Sequence, residues 1–198
     1  MHRLASAPVT ARRLSQAIAE GDGISVLVEV RDLAAAERAE GAGAEGLVVR
    51  DAQTGLHGRT TLPLLAYGPL PDASLAAAAD AVVLTADDDH ALAEQAERCH
   101  ELGVEYVVRV RDDDELERVL EQVDPEILLL TAELAEDDQE SLDRLLELLP
   151  DVPAGKLAIA ELADASRSDV EELERAGVDA VLVTGDVAAL VGDAVPDV

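Results

Sequence analysis

The sequence is short of residues that many proteins use for packing and chemistry. It has no phenylalanine or tryptophan, two tyrosines, one cysteine (Cys99) and one lysine (Lys156) among 198 residues. Without large aromatic side chains, the core must be built from alanine, valine and leucine, which suits a parallel sheet covered by alanine-rich helices. A single cysteine excludes an internal disulfide, and we expect a cytoplasmic protein. Cys99 shares one helical face with Leu92, Ala96 and Leu102, which predicts that it is buried and not catalytic.

Positive charge is also scarce. The chain has 43 acidic residues against 15 basic ones, and its net charge is −28. Such a field repels nucleic acids and anionic membranes, so we expect neither as a partner. Adaptation to high salt and a GC-rich genome both predict this composition, and the sequence does not separate the two. No apolar run is long enough to span a membrane. No His/Cys/carboxylate cluster has metal-ligand spacing, so we expect no metal site, and no motif predicts a cofactor.

One pattern recurs along the chain: a helical segment, a connection that carries an acidic residue, and then an apolar run rich in valine and leucine. It occurs in AGAEGLVV (42–49), AAADAVVL (77–84), LGVEYVV (102–108) and AGVDAVLV (176–183). In three of these segments a glycine stands where a helix would end in a left-handed cap. The pattern predicts strict alternation of helices with parallel strands.

The alternation gives eight strand–helix units. We predict strands at Ile24–Val30, Gly46–Arg50, Leu62–Tyr67, Ala81–Thr85, Tyr106–Val110, Ile127–Leu130, Leu157–Glu161 and Ala180–Val183. We predict helices near residues 10–20, 33–42, 72–79, 89–102, 113–122, 137–149, 166–176 and 186–192, and a loop at 51–61. Eight such units predict one closed (β/α)8 TIM barrel over residues 1–198, with an extra N-terminal helix and short loops at the catalytic face. An open doubly wound sheet is the alternative, but no strand is followed by the GxGxxG turn typical of that fold.

The candidate active-site residues lie at the carboxyl ends of the strands, where barrels of this kind have their active sites. Alternation along strand one (VEVRD) puts Glu29 and Arg31 on one face, and alternation along strand five (VVRVRD) does the same for Arg109 and Arg111. Glu29, Arg109 and the strand-seven Glu161 would then meet at the barrel mouth. Because a buried charge needs a partner, we predict that Arg109 contacts Glu29 or Glu161.

Strand eight leads into the turn Thr184-Gly185 and then into a helix predicted from Asp186. Backbone N–H groups at such a helix start can bind a phosphate, so Thr184 and Gly185 are candidate substrate-binding residues. The carboxylate of Asp186 would instead occupy the helix start itself and interact with the helix dipole, which favours a capping role for the turn. The run DDDELE (112–117) has the same explanation, because acids at a helix start complement its dipole.

The segments VLVEVRD, LPLLAYG, EYVVRVRDDDELERVL, KLAIAELAD and AGVDAVLVTGDVAAL resemble indole-3-glycerol phosphate synthase in order and spacing. The resemblance covers about residues 10 to 192. It implies a phosphate-binding (β/α)8 barrel and the carboxy-lyase chemistry of tryptophan biosynthesis, in which the indole ring closes with loss of carbon dioxide and water. It also implies a small phosphorylated metabolite as the ligand.

The resemblance points to four candidate catalytic residues, two of them changed from the family pattern. Glu29 and Glu161 stand where the family has glutamates on strands one and seven. Arg31 replaces a strand-one lysine, and Arg109 replaces the strand-five glutamate. The segment Tyr67-Gly68-Pro69 stands where the family has its general-acid lysine after strand three, and it contains no lysine. The other departures are Leu130 or Thr131 for the strand-six asparagine, Leu162-Ala163 for the phosphate-contacting Ser-Gly, and Gly185 displaced by one residue.

These departures bear on activity. Arginine cannot replace the missing lysines as a general acid, because its pKa is too high to release a proton near neutrality. His57, in TGLHGRTT, could serve if its loop swings over the mouth, although a lone loop histidine is more often solvated. We therefore expect a divergent barrel whose lyase activity is impaired or redirected. The alternative is a non-catalytic binding, regulatory or assembly module, and the oligomeric state stays open.

Overall fold

The computed structural model describes residues 13–21, 23–50, 55–68, 71–86, 91–132, 135, 138–185 and 187–190. Eight strands form one closed barrel in sequence order, and every neighbouring pair, including β8 with β1, is parallel. This confirms the predicted (β/α)8 barrel and excludes the open doubly wound sheet. The strands are β1 Ser25–Glu29, β2 Gly46–Val49, β3 Leu64–Tyr67, β4 Ala81–Thr85, β5 Glu105–Val110, β6 Ile127–Thr131, β7 Leu157–Glu161 and β8 Ala180–Val183.

Helices alternate with the strands, as predicted. They are α1 Leu14–Ala19, α2 Leu33–Gly41, α3 Ala73–Ala76, α4 Ala91–Leu102, α5 Asp113–Gln122, α6 Asp138–Leu148 and α7 Arg167–Ala176. One predicted helix, at 72–79, is shorter than expected, and of another, at 186–192, the structure describes only residues 187–190. The helix α3 is a single turn, because the N–H of Ala78 bonds to Leu75 O, three residues back, and so leaves the α-helical pattern. The helix predicted at 186–192 corresponds, among the described residues, to a 3-10 turn at Val187–Ala189.

The joins between helices and strands follow the recurring sequence pattern. Gly43, Gly103 and Gly177 have φ angles of 94°, 68° and 100°, which confirms the left-handed conformation expected after a helix. At the other ends, Asp32 and Asp112 each accept a hydrogen bond of 2.8 Å from the backbone N–H three residues further on. The capping role predicted for the DDDELE run is therefore confirmed at its first residue.

None of the helices in the described part of the chain has the length and apolar character that crossing a membrane would need.

Alternate residues of each strand point into the barrel and fill it with aliphatic layers. One layer comes from the odd-numbered strands and the next from the even-numbered strands: Leu27, Leu65, Val107 and Ile159, then Val48, Val83, Leu129 and Leu182. At the N-terminal end the space narrows, since a Cβ on Gly46 would lie 2.6 Å from Leu27 Cδ2. The helix α1 closes this end, because its Leu14 and Ile18 pack into the same interior cluster.

The outward-facing strand residues form a second apolar layer beneath the helices. Cys99 and Leu92 are fully buried there, Ala96 is 8% exposed, and Leu102 packs against them, which confirms the predicted buried face of α4. Burial also raises the pKa of the Cys99 thiol to about 11. Little thiolate therefore exists near neutral pH, and the cysteine acts as a packing residue.

Candidate functional site

The inward-facing positions become polar where the strands end. Glu29, Tyr67, Arg109 and Glu161 continue the alternation of the odd-numbered strands, and Arg50 is the first residue after β2. We call these five residues the mouth cluster. Both glutamate side chains are 14% exposed and that of Arg109 is 18% exposed, whereas that of Arg50 is 43% exposed. The cluster is therefore half-buried at the carboxyl ends of the strands, with Arg50 on its solvent side.

The guanidinium of Arg50 joins three strands across the mouth. Its Nε donates to Glu29 Oε2 at 2.9 Å, and its NH2 donates to Glu161 Oε1 at 2.6 Å. Its Cζ lies 3.9 Å from the centroid of the Tyr67 ring, within cation–π distance. Arg50 thus connects the ends of β1, β7 and β3.

Glu161 is the shared partner of the cluster. Its Oε2 lies 3.7 Å from Arg109 Nε, and both its carboxylate oxygens lie 3.5 Å from the Tyr67 hydroxyl, at the outer limit of hydrogen bonding. The predicted contact of Arg109 with one of the two glutamates is therefore confirmed for Glu161. Glu29 pairs with Arg50, a partner that the sequence did not predict.

The environment keeps the proton donors of the cluster protonated. Burial raises the pKa of Tyr67, and the carboxylate of Glu161 raises it further. Burial alone would lower the pKa of Arg50, but the hydrogen bonds to Glu161 and Glu29 outweigh it and raise that pKa. Neither group can release a proton readily near neutral pH. The two guanidiniums and two carboxylates balance in charge, so the cluster is suited to binding and orientation more than to proton transfer.

The structure does not bring Arg31 and Arg111 into the mouth cluster. Arg31 lies two residues beyond the end of β1, is exposed, and has no ion pair with a described residue. Arg111 instead pairs with Glu115, which is 2% exposed, through an NH2–Oε1 contact of 2.8 Å. The backbone N–H of Arg111 also donates to Glu115, so this pair fixes the start of α5. A catalytic role for Arg31 stays a prediction.

The turn after β8 is hydrogen-bonded to the loop after β7. Thr184 donates its N–H, at 2.9 Å, and its hydroxyl, at 3.0 Å, to Ala163 O. A phosphate at this turn would have to replace those bonds. Both Thr184 and Gly185 are exposed, and their substrate-binding role stays a prediction. Asp186, the predicted capping residue, lies outside the described residues.

His57 lies at the opposite end of the barrel. Its Nε2 is 3.2 Å from Asp80 Oδ1, and Asp80 immediately precedes β4. The other carboxylate oxygen of Asp80 accepts the N–H of Leu64, the first residue of β3. The histidine is therefore held beside the amino ends of the strands. It is exposed, as expected for a lone loop histidine, and the alternative in which it swings over the mouth is wrong.

Arg50 is the member of the mouth cluster that sequence reasoning missed. It was placed at the end of strand two but not among the residues expected at the mouth. Gly46 and Val48 face the interior, so the same period-two alternation puts Arg50 there. That alternation was the available signal.

Fold and site together define the class: a (β/α)8 barrel with a charge-balanced cluster of side chains at the carboxyl ends of its strands. No protein-family model matches this sequence. Solved structures with the same fold include three whose sequences are 12–14% identical to this one.

One is 3-hexulose-6-phosphate synthase, with a TM-score of 0.64 and 14% identity over 85% of this chain and 95% of that one. A second is the native KDPGal structure, with a TM-score of 0.62 and 12% identity over 83% of this chain and 91% of that one. A third is 2,3-dimethylmalate lyase, a member of the PEP mutase/isocitrate lyase superfamily, with a TM-score of 0.61 and 13% identity over 86% of this chain and 79% of that one. At these identities the likeness establishes the fold and leaves the activity to the site residues.

Proposed function

We propose that this chain is a divergent barrel of the indole-3-glycerol phosphate synthase type. It binds a small phosphorylated metabolite at the mouth and has little of the family's ring-closing lyase activity. One observation carries the proposal: Glu29 and Glu161, at the two positions where the resemblance keeps a glutamate, converge on one guanidinium at the carboxyl end of the barrel. Enzymes of this fold have their active sites at that end. We further propose a cytoplasmic location and neither nucleic acid nor membrane as a partner.

The chemistry of the cluster supports weak catalysis. Ring closure needs a proton donor, and general acid catalysis typically contributes about 10²–10⁴-fold. Tyr67 occupies the position of the family's general-acid lysine, and its raised pKa makes it a poor donor. Arg50, whose pKa is also raised, holds its proton more tightly still. Loss of the lysine therefore predicts turnover lower by a factor of this size.

A second candidate is a barrel that binds its ligand without any chemistry, as a regulatory or assembly module. Each of the four charged side chains in the mouth cluster has an opposite charge within 3.7 Å. Such mutual pairing favours a binding surface, because each charged group of the cluster already has a partner that orients it. The two candidates differ in turnover and agree on ligand binding at the mouth.

The test combines calorimetry with indole-3-glycerol phosphate and an assay of its formation, each at low and at molar salt. Salt is varied because a chain of net charge −28 repels itself when unscreened. Arg50→Gln removes the central guanidinium, and Arg98→Gln is the matched control, because Arg98 pairs with Glu101 on the surface of α4. We expect binding by the wild type and the Arg98 variant and loss of binding in the Arg50 variant.

Turnover separates the candidates. A slow but measurable rate that depends on Glu161 supports the divergent enzyme, whereas binding with no turnover supports the module. Turnover of about one per second or faster would contradict impaired catalysis. Absence of binding in the folded wild type, at both salt concentrations, would contradict both candidates.

A further inference from the structure

We propose that Arg50 is the anion-receiving residue of the mouth and that Glu29 and Glu161 hold it in an autoinhibited position. An incoming phosphate then binds by taking the guanidinium from the two carboxylates. This inference rests on the proposed function, since it concerns how the same mouth selects and admits its ligand.

The position of Arg50 separates it from the other guanidinium of the cluster. Arg50 lies outermost and is 43% exposed, whereas Arg109 lies below it and is 18% exposed. The edge of the Arg50 guanidinium formed by Nε and NH2 is the kind of edge that binds a phosphate through two parallel hydrogen bonds. In the structure this edge is divided between two carboxylates on different strands. A ligand that approaches from solvent meets Arg50 first.

The contacts that hold Arg50 can be exchanged. All of them are with side chains: two carboxylate oxygens and one aromatic ring. Arg111 shows the contrasting arrangement at the same end of the barrel. Its partner Glu115 is 2% exposed and also accepts the backbone N–H of Arg111, so that pair cannot open without disturbing the main chain. Within the described part of the chain, Arg50 has no such restraint.

The exchange leaves the charge around Arg50 unchanged, because a phosphate dianion carries the same charge as the two carboxylates that it replaces there. The displaced carboxylates stay in the mouth, however, so the cluster as a whole becomes net negative. Glu161 has Arg109 and the Tyr67 hydroxyl nearby, at 3.7 and 3.5 Å, to offset its charge. Among the described residues, Arg50 is the only partner of the Glu29 carboxylate. Glu29 is therefore left unpaired beside an anion, which is the main cost of admitting the ligand, and Glu29 sets the affinity.

This leads to an unusual expectation: neutralising Glu29 strengthens phosphate binding. Glu29→Gln keeps the shape of the side chain but weakens its hold on Arg50. Asp164→Asn is the charge-matched control, because Asp164 is exposed in the loop after β7 and contacts no member of the mouth cluster. Two further variants are compared with these and with the wild type: Arg50→Gln and the double variant Glu29→Gln/Arg50→Gln.

Calorimetric titration with inorganic phosphate and with indole-3-glycerol phosphate tests the expectation, at one salt concentration at which circular dichroism shows each variant folded. We expect Glu29→Gln to tighten binding of both probes about fivefold or more, the scale of a typical coupling between sites. We expect Asp164→Asn to change it less than about twofold. The double variant should bind no more tightly than Arg50→Gln, because the gain acts through Arg50. An unchanged or weaker affinity in Glu29→Gln, or a gain that persists without Arg50, overturns the inference.

The same titrations separate failure of the inference from failure of the proposed function. Wild-type binding of indole-3-glycerol phosphate with no gain in Glu29→Gln leaves the proposed function standing and removes the autoinhibition. Binding by none of the folded proteins removes both. If Glu29→Gln does not fold, the Nε–H resonance of Arg50 in the wild type, assigned by its absence from Arg50→Gln, gives the answer. The chemical shift of this resonance should change when phosphate is added, and an unchanged shift at saturating phosphate overturns the inference.

Discussion

The acids that contact the main chain or Arg50 from within a strand, or directly beside one, act differently at the two ends of the barrel. At the amino ends of the strands the carboxylates bind the main chain: Asp80 accepts the N–H of Leu64 at 2.9 Å, and Asp179 accepts the N–H of Ala158 at 2.8 Å. Glu105 accepts the N–H at the start of α1 at 2.7 Å. At the carboxyl ends Glu29 and Glu161 bind the side chain of Arg50.

Under the proposed function, this difference separates acids that hold the fold together from the two mouth acids that bind Arg50. Asp80, Glu105 and Asp179 are three of the four acids of the recurring sequence pattern, and each stands at or next to the start of a strand. Asp80 and Glu105 also have side-chain partners, His57 and Ser15, but all three acids accept a backbone N–H, a bond that cannot be given up without disturbing the fold. The mouth acids hold a side chain that a ligand can take. The distinction can be tested at each end.

The largest expected effect is on stability at the amino end. Asp179→Ala leaves the N–H of Ala158 without its acceptor, and an unsatisfied half-buried donor costs about 1–3 kcal/mol. Urea unfolding at constant salt should show this loss in the free energy of unfolding. Asp179→Asn keeps an acceptor oxygen and should recover much of it, whereas Asp164→Ala, on an exposed loop, should stay within about 0.5 kcal/mol of the wild type. A cost for Asp179→Ala no larger than that of Asp164→Ala would remove the distinction between the two ends.

A smaller effect on stability is expected at the mouth. Glu29→Gln breaks an ion pair whose arginine is 43% exposed, and solvent screening limits such pairs to about 1 kcal/mol or less. The same urea measurements should therefore place this variant close to the wild type, while its affinity for phosphate changes. If Glu29→Gln destabilises the fold as much as Asp179→Ala does, the mouth acids are structural too.

The smallest expected effect is spectroscopic and concerns the two tyrosines, one near each end. Burial raises the pKa of Tyr67 and of Tyr106, with Glu161 adding to the shift of Tyr67. At about pH 10, where free tyrosine is half ionised, both phenols are therefore less ionised in the folded state than in the unfolded state. Because the unfolded state loses its protons first, the free energy of unfolding should fall as the pH rises above about 10.

A near-ultraviolet titration measures this directly, since the chain has no tryptophan and no other tyrosine. Near pH 10 the urea-unfolded protein should show about half of its two tyrosines ionised, and the folded protein should show clearly less tyrosinate. In a Tyr106→Phe background, Glu161→Gln should lower the pKa of Tyr67 only in part, because burial is the larger cause. Half-ionisation of the folded wild type near pH 10 would show that neither tyrosine is shielded.

The fold could be predicted closely because aliphatic strands and acidic, alanine-rich helices alternate clearly. Seven of the eight predicted strands start within one residue of the observed strand, and the other, predicted from Leu62, begins at Leu64. The predictions failed where short elements depend on tertiary packing. The segment at 72–79 has helical composition, yet only one turn forms between β3 and β4.

The site was predicted in part. Alternation along single strands was enough to place Glu29, Arg109 and Glu161 at the mouth and to pair Arg109 with a glutamate. Which partner each carboxylate takes depends on the stagger between strands around the barrel, and one sequence does not specify that stagger. Alternation along strand two could place Arg50 at the mouth, but its pairing with both Glu29 and Glu161 depends on that stagger. The place of His57 depends on how the loop after β2 descends to the amino end, which the sequence does not show either.

The most direct test of ligand binding at the mouth is a map of backbone amide shifts in the wild type during titration with indole-3-glycerol phosphate. If the mouth is the site, the shifts should be confined to the carboxyl ends of the strands, at Glu29, Arg50, Tyr67 and Glu161 and the loops beside them. Amides at the amino end, such as Leu64 and Ala158, whose N–H groups are held by Asp80 and Asp179, should stay unchanged. Shifts centred on the amino end, with the mouth silent, would contradict the assignment of function to the mouth cluster.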